Sequence, residues 1–220
     1  MKIVKVLTVS LLLVTGIVSK SFAGSAEFGG PYIGVHGTAI GFAVDGKHTD
    51  ANAGGLKVTK GTAGAVGATA GFEIGYNIPI TDVLFISVSG NHTPVDASFK
   101  ADATANVDDV EVTIKDINEI SIEPSISLSD NTAVFLKVSH SDFSISASGT
   151  GLDKSQSFDL SGETFALGTK TITDSGFFAK TEAGITSWDS FKLIGVGTSD
   201  GTVTADVDSV YGRFTIGKKF

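Results

Sequence analysis

The chain contains no cysteine, which excludes a disulfide framework and any thiolate metal site and leaves strand pairing and packing to hold the fold. Proline is scarce too, with four residues against 27 glycines, a balance that suits long strands and tight turns better than helices. Beyond the first two dozen residues no apolar run approaches the roughly 18 residues of a membrane helix, and no amphipathic helical stretch of useful length occurs. Basic residues are also few. Sixteen Lys and Arg face 24 Asp and Glu, for a net charge of −8, so nucleic acid is excluded as a partner because phosphate binding needs clustered cations.

What is present is concentrated first at the two ends. Lys2 and Lys5 precede an apolar stretch from Val6 to Val18, and Ser21-Phe22-Ala23 supplies small residues before a cut after Ala23. This pattern predicts a cleaved signal peptide over residues 1–23 and a mature domain over 24–220. Losing Lys2, Lys5 and Lys20 makes the mature chain still more acidic. At the other end, Val210, Phe214, Ile216 and Phe220 share one parity, while Tyr211, Arg213, Thr215 and Lys219 share the other. Such a strand meets something apolar on one face only.

Period-2 alternation divides the chain into eight strands near 31–43, 65–78, 83–99, 110–128, 133–147, 158–173, 177–191 and 206–220. Short turns at Pro79-Ile80-Thr81-Asp82, Ser129-Asp130-Asn131-Thr132 and Asp174-Ser175-Gly176 alternate with longer stretches near 44–64, 100–109, 148–157 and 192–205. This predicts an all-β fold, an eight-stranded antiparallel up-and-down transmembrane β-barrel with short periplasmic turns and long outer loops.

The lipid-facing rows are predicted as Ile33 and Val35; Phe72, Ile74, Tyr76 and Ile78; Leu84, Ile86 and Val88; Ile120, Ile122, Ile126 and Leu128; Val134, Leu136 and Val138; and Leu167, with Lys170 inward. The fourth strand loses its pattern above Asn118, so Val110 to Ile114 are expected to pair beyond the membrane. Aromatic girdles are expected at both rims: Tyr32, Tyr76, Phe177 and Phe220 at one, and Phe42, Phe99, Phe143, Trp188 and Phe191 at the other.

Tyr32-Ile33-Gly34-Val35, Gly71-Phe72-Glu73-Ile74-Gly75-Tyr76 before a Pro-Ile-Thr-Asp turn, and the closing Tyr-Gly-Arg-Phe-Thr-Ile-Gly run resemble the small bacterial outer-membrane barrels. That family includes the OmpA transmembrane domain, OmpX and the opacity proteins. The resemblance covers nearly the whole mature chain. It implies a monomeric barrel of the Gram-negative outer membrane, handled by periplasmic chaperones and by an assembly machinery that reads a terminal aromatic, here Phe220. Lys218 departs from the family pattern, which usually has an apolar residue there, and the closing run at Phe220 predicts that the peptidoglycan-binding domain of full OmpA is missing.

Inward parities collect Glu73, Glu123, Lys137, Lys180, Glu182 and Arg213 at one depth, three carboxylates against three cations. Each charge is costly alone in a narrow barrel, so a hydrogen-bonded network is expected, with Arg213 gripping carboxylates such as Glu73 or Glu182 and Lys137 reaching Glu123 across a hairpin. The network is read as the structural core of the barrel, in preference to a gate or a catalytic array.

The histidines offer no catalytic spacing. Lipid A deacylases of similar fold place His and Ser on one face of a strand, but His140 and Ser141 point to opposite sides. His140 and His92 continue outward rows, His36 faces inward and His48 falls in a loop, with no metal spacing. The loop acids Asp50, Asp108, Asp109, Asp153, Asp200, Asp206 and Asp208 form a solvated surface and lack the pattern of a calcium loop. Three functions remain: a structural or surface-interaction barrel contacting outer-membrane lipid, lipopolysaccharide or ligands, which is preferred; a narrow channel for small solutes; and a lipid A-modifying enzyme. No catalytic residue, cofactor or metal is expected under the first.

Overall fold

A strand whose side chains alternate in polarity must present two faces to two environments, and a closed ring in a bilayer supplies both. The computed structural model describes residues 24–52, 55–101, 110–149, 152–196 and 201–220. The expected signal peptide and the acids Asp108, Asp109 and Asp200 lie outside them. A short helix, α1 (Ser25–Phe28), precedes β1 (Gly30–Asn52), β2 (Gly55–Pro79), β3 (Leu84–Ala101), β4 (Val110–Ser127), β5 (Thr132–Ser148), β6 (Gln156–Ile172), β7 (Phe177–Val196) and β8 (Gly201–Lys219). Every strand pairs antiparallel with its neighbours, and β8 closes on β1. Among the described residues no helix is long and apolar enough to cross a membrane.

The register fixes the shape. From Gly34 the ladder partners run through Glu73, Asn91, Glu119, Ser141, Gly162, Trp188 and Val207, and return to β1 at Val44, ten residues further on. A shear of ten on eight strands tilts them by about 40° and leaves an interior that side chains can fill. Outward residues confirm the lipid-facing rows: Ile33, Val35, Phe72, Ile74, Tyr76, Ile78, Val88, Ile120, Ile122, Leu128, Leu136, Leu167, Phe214 and Ile216 are all exposed. Such a girdle is stable only against hydrocarbon.

Above this belt the two faces exchange character. On β5, Val134, Leu136 and Val138 face out while Lys137, Ser139 and Ser141 face in; further along, His140, Asp142 and Ser144 face out while Phe143, Ile145 and Ala147 are buried inside. The wall thus changes from a membrane barrel to a water-facing sheet within one strand. On β4 the exchange is helped by a bulge at Asp116, whose φ is +42°. Two residues there, Asp116 and Ile117, oppose Phe143 alone, so odd positions (Glu119, Ser121, Glu123) are buried below it and even positions (Val112, Ile114) above it. Asp tolerates this left-handed backbone better than most residues.

Pairing also lapses at two seams toward the long-loop end. The β2–β3 ladder stops at Phe72 and His92, and the β6–β7 ladder stops at Gly162 and Trp188. The wall there becomes two four-stranded sheets, β3 to β6 and β7-β8-β1-β2. Between them Val112, Ile114, Phe143, Ile145, Leu160, Trp188, Leu193 and Val207 form an apolar core, with Phe42, Val44, Phe158 and Phe191 packed against it. Gln156 clasps the β6–β7 seam, its side-chain amide donating to the Ile194 carbonyl at 2.7 Å and its Oε1 accepting from the Ile194 N–H at 3.1 Å. The short-turn end has its own plug, in which Phe28 of α1, Tyr32, Phe85, Ala133, Ile172 and Phe178 cluster.

Several expectations need correction. Tyr32, Phe143 and Trp188 belong to no rim girdle, because their parity turns them inward, and Phe42 and Phe191 pack toward the same interior. Tyr76, Phe177 and Phe220 do face out at the short-turn rim. The stretches 44–64 and 192–205 are largely strand, so His48 and Asp50 sit on β1 and Asp206 and Asp208 on the outer face of β8. Glycine and small polar residues made those segments read as loops, and cross-strand pairing overrode that local preference. The four-residue helix α1 was too short to show a period. Glu111 to Ile114 pair with Ser148 to Ile145 of β5, and Val110 with Ala101 of β3, beyond the belt, in line with expectation.

Candidate functional site

Between the two apolar plugs lies a layer of charge. All six predicted members, Glu73, Glu123, Lys137, Lys180, Glu182 and Arg213, are buried, and Glu119 and Lys170 join them. Lys180 sits at its centre: Nζ lies 2.6 Å from Glu73 Oε1, 3.0 Å from Glu123 Oε1 and 3.7 Å from Glu182 Oε2. Lys137 Nζ lies 2.6 Å from Glu119 Oε1 and 2.8 Å from Glu182 Oε1. Arg213 spans the same two carboxylates, with Nη1 3.1 Å from Glu119 and 3.5 Å from Glu182, and its Nε donates to Thr38 Oγ1 at 3.1 Å.

One pairing differs from expectation. Lys137 reaches Glu119 and Glu182 instead of Glu123, while Arg213 holds Glu182, as expected, and Glu119 besides. For Lys137 the shear is the reason, since residues level along the barrel axis need not be ladder neighbours, whereas Arg213 and Glu182 are ladder partners. Four carboxylates then meet four cations among the described residues. Isolated, each would be prohibitively expensive; paired and hydrogen-bonded, they fill the bore.

Neutral groups complete the layer. Tyr32 donates to Glu73 at 2.9 Å and Tyr211 to Glu182 at 3.1 Å. Asn91 donates to Glu119 at 2.9 Å, while Lys170 donates to Asn77 and Ser87 at 3.2 and 3.3 Å and lies 4.8 Å from the Tyr32 ring centroid. Asn77 in turn donates to the Phe28 carbonyl at 2.7 Å, tying α1 to the network. Glu119 was legible as the next member of the row Ser121, Glu123; the break in pattern above Asn118 concealed it. Tyr211 likewise shares the parity of Arg213.

His140 faces out, its Nδ1 2.9 Å from Glu163 Oε1 and its Nε2 3.5 Å from Asp142 Oδ1. Ser161 donates to Asp142 at 2.8 Å, so at this spot the carboxylate stands between the hydroxyl and the imidazole. Ser141 is buried on the opposite face. His36 is inside beside Thr38, and His92 is outside, 2.8 Å from Asn118 Oδ1. Among the described residues no group of three or more side chains is arranged to hold a metal.

A closed ring of eight strands, apolar outside and charged within, is a transmembrane β-barrel of the outer-membrane type. No family model matches the chain, and no curated protein matches it. Among solved structures it is similar to Ail, the attachment invasion locus protein of Yersinia pestis, in complex with the heparin analogue sucrose octasulfate, at 12% identity over 85% of this chain and 99% of that one, with a TM-score of 0.47. Neisserial surface protein A is similar at 14% identity over 84% and 97%, TM-score 0.37. The outer-membrane protease OmpT from Escherichia coli is similar at 11% identity over 92% and 99%, TM-score 0.41. Identities and scores this low leave function to the chain's own residues.

Proposed function

We propose that this chain is an outer-membrane protein with a structural or surface-contact role, acting through its two-sheet head and conducting no solute through its bore. The observation that carries this reading is the filling of the interior: the charge layer lies between an apolar plug around Phe28 and Phe85 and an apolar core around Phe143 and Trp188. A channel needs a continuous wet path, and apolar packing at both ends of the ion-pair layer opposes one. The network then serves as the barrel's polar core and not as a gate. An enzyme needs convergent groups, and the outward His140, Asp142 and Ser161 are in the wrong order for nucleophilic catalysis. We therefore favour no catalytic role.

The outer face of the head is acidic, with Asp142, Asp159, Glu163, Asp189, Asp206 and Asp208 exposed on β5 to β8, so its contacts are surfaces or ligands that tolerate or seek negative charge. Residues 1–23 are the export signal in this reading, Phe220 the assembly signal, and the mature chain a monomer. Planar-bilayer recording of the refolded protein tests it. The expected trace shows no stable conductance step; a large, long-lived one overturns the proposal in favour of a narrow channel.

A further inference from the structure

Above the belt, β2 keeps one edge unpaired. From Gly55 to Asn77 it pairs with β1 in an unbroken register, but its ladder to β3 begins only at Phe72, so among the described residues Gly55 to Gly71 have no strand on their second side. In an antiparallel ladder every other residue turns its N–H and C=O away from a given partner, and roughly half of this stretch therefore presents them to the seam. The strand across the seam is blunted. β3 carries Pro94, and its ladder to β4 slips between Thr93 and Asp96, two devices by which sheet edges avoid pairing. β2 has neither, since its register is continuous and no proline stands between Gly55 and Ile78.

Charge indicates what this edge accepts. Lys60 stands directly opposite Lys47 on β1, and the same row continues through Thr204 of β8 to Lys192 of β7. All three lysines are exposed on the outer face, and none makes a hydrogen bond or ion pair among the described residues. Asp45, two residues below Lys47 on the same face, is taken by Thr62, whose hydroxyl donates to it at 2.8 Å. Like charges directly opposite each other weaken a ladder, whereas an opposite charge on the adjoining strand strengthens it. A strand laid along β2 would set one side chain beside Lys60 on the outer face and turn its alternate side chains inward, toward the interior where Phe42 and Val44 pack against the apolar core. A polyanionic sugar would answer the lysines and leave the backbone groups of the edge unmatched; an extended polypeptide answers both.

We propose that the free edge of β2 takes an extended segment of another polypeptide as an added strand, with apolar side chains alternating inward and a carboxylate over Lys60 and Lys47. The proposal rests on the surface-contact reading and gives that contact its chemistry. The probe is the fluorescently labelled peptide Thr-Val-Thr-Val-Glu-Val-Thr-Val-Thr, and its binding to the refolded protein in lipid nanodiscs is read by anisotropy and by amide exchange. Wild type is expected to bind it, with exchange slowed at alternate residues between Gly55 and Gly71. Replacing the glutamate by lysine, or two of the valines by proline, is expected to cost at least tenfold in affinity. Lys60→Glu is expected to reverse the preference between the glutamate and lysine peptides, and Lys154→Glu, an equal change of charge at an exposed site before β6, to leave it as in wild type. Heat-dependent migration in electrophoresis verifies that each variant is folded. Absence of binding, equal binding of the proline peptide, or protection elsewhere than β2 overturns the site. Binding of dextran sulfate that Lys60→Glu abolishes, with no peptide protecting β2, assigns the lysines to a polyanionic sugar and overturns the added strand. A bilayer trace without conductance steps combined with no bound peptide sinks this inference alone and leaves the surface-contact reading standing.

Discussion

Phe143 and Trp188 meet edge to face across the interior, ring centroids 4.5 Å apart and planes at 89°. One comes from β5 and the other from β7, so the contact joins the two sheets of the head above the belt. The Trp188 indole N–H also donates to Ser209 at 3.0 Å, as buried tryptophans require.

Phe143→Ala is therefore expected to loosen the head at a cost of about 3–5 kcal/mol. Trp188 is the chain's only tryptophan, so its fluorescence reports the event directly: emission shifts to the red and its urea midpoint falls. An unchanged emission maximum and midpoint would show that the apolar core above the belt carries little stability.

Lys180→Met removes the cation shared by Glu73, Glu123 and Glu182 and is expected to destabilise the barrel more than Arg213→Ala, which releases Glu119 and Glu182 while Lys137 still holds both. Breaking one partner of a buried pair costs about 3–5 kcal/mol. Unfolding in urea on lipid vesicles ranks the two. Wild-type stability combined with new ion conductance in either variant would mean that the layer gates a path.

Gly75 lies under the Tyr32 ring, and a Cβ there would stand 2.5 Å from Tyr32 Cζ and Oη and 2.7 Å from the Val88 carbonyl. Gly75→Ala is expected to displace the tyrosine from Glu73 and cost about 1–3 kcal/mol through overpacking. Tyr32→Phe at an intact Gly75 separates the lost hydrogen bond from the steric effect. Equal midpoints for Gly75→Ala and wild type would contradict the packing.

Phe220 projects outward at the short-turn rim, and its N–H donates to the Pro31 carbonyl at 2.9 Å. Deleting it is expected to lower the yield of assembled protein in cells while folding into detergent persists, seen as unheated and heated samples migrating differently in electrophoresis. Equal cellular yields would remove its role as an assembly signal. Lys218, where the barrels that the sequence resembles usually carry an apolar residue, has its Nζ against the Ser175 carbonyl and 4.6 Å from the Phe177 ring centroid.

The ring, its strand count and its outward rows were readable because parity is a local property: Ile120 and Ile122 declare a face without reference to any other strand. The six charged residues were readable for the same reason. Apart from Arg213 with Glu182, their partners were not, because pairing depends on shear, which no single strand encodes. Glu119 was hidden by the bulge at Asp116, which reverses parity just above it. Phe143 and Trp188 were misplaced because an aromatic near a strand end suits either a lipid rim or an interior core, and the exchange of faces near His140 separates the two; Tyr32 was misplaced against the parity of Ile33 and Val35, which turns it into the plug at the short-turn end.

The even balance of the interior layer, four carboxylates against four cations, also sets how the protein responds to voltage. A membrane potential does about 2.3 kcal/mol of work per elementary charge per 100 mV, but only on charge that moves. A locked, neutral cluster offers it nothing to push. Voltage steps across a bilayer holding this barrel should displace no gating charge, and substituting a single member, such as Lys180, would create the first handle by which an electric field could grip the interior.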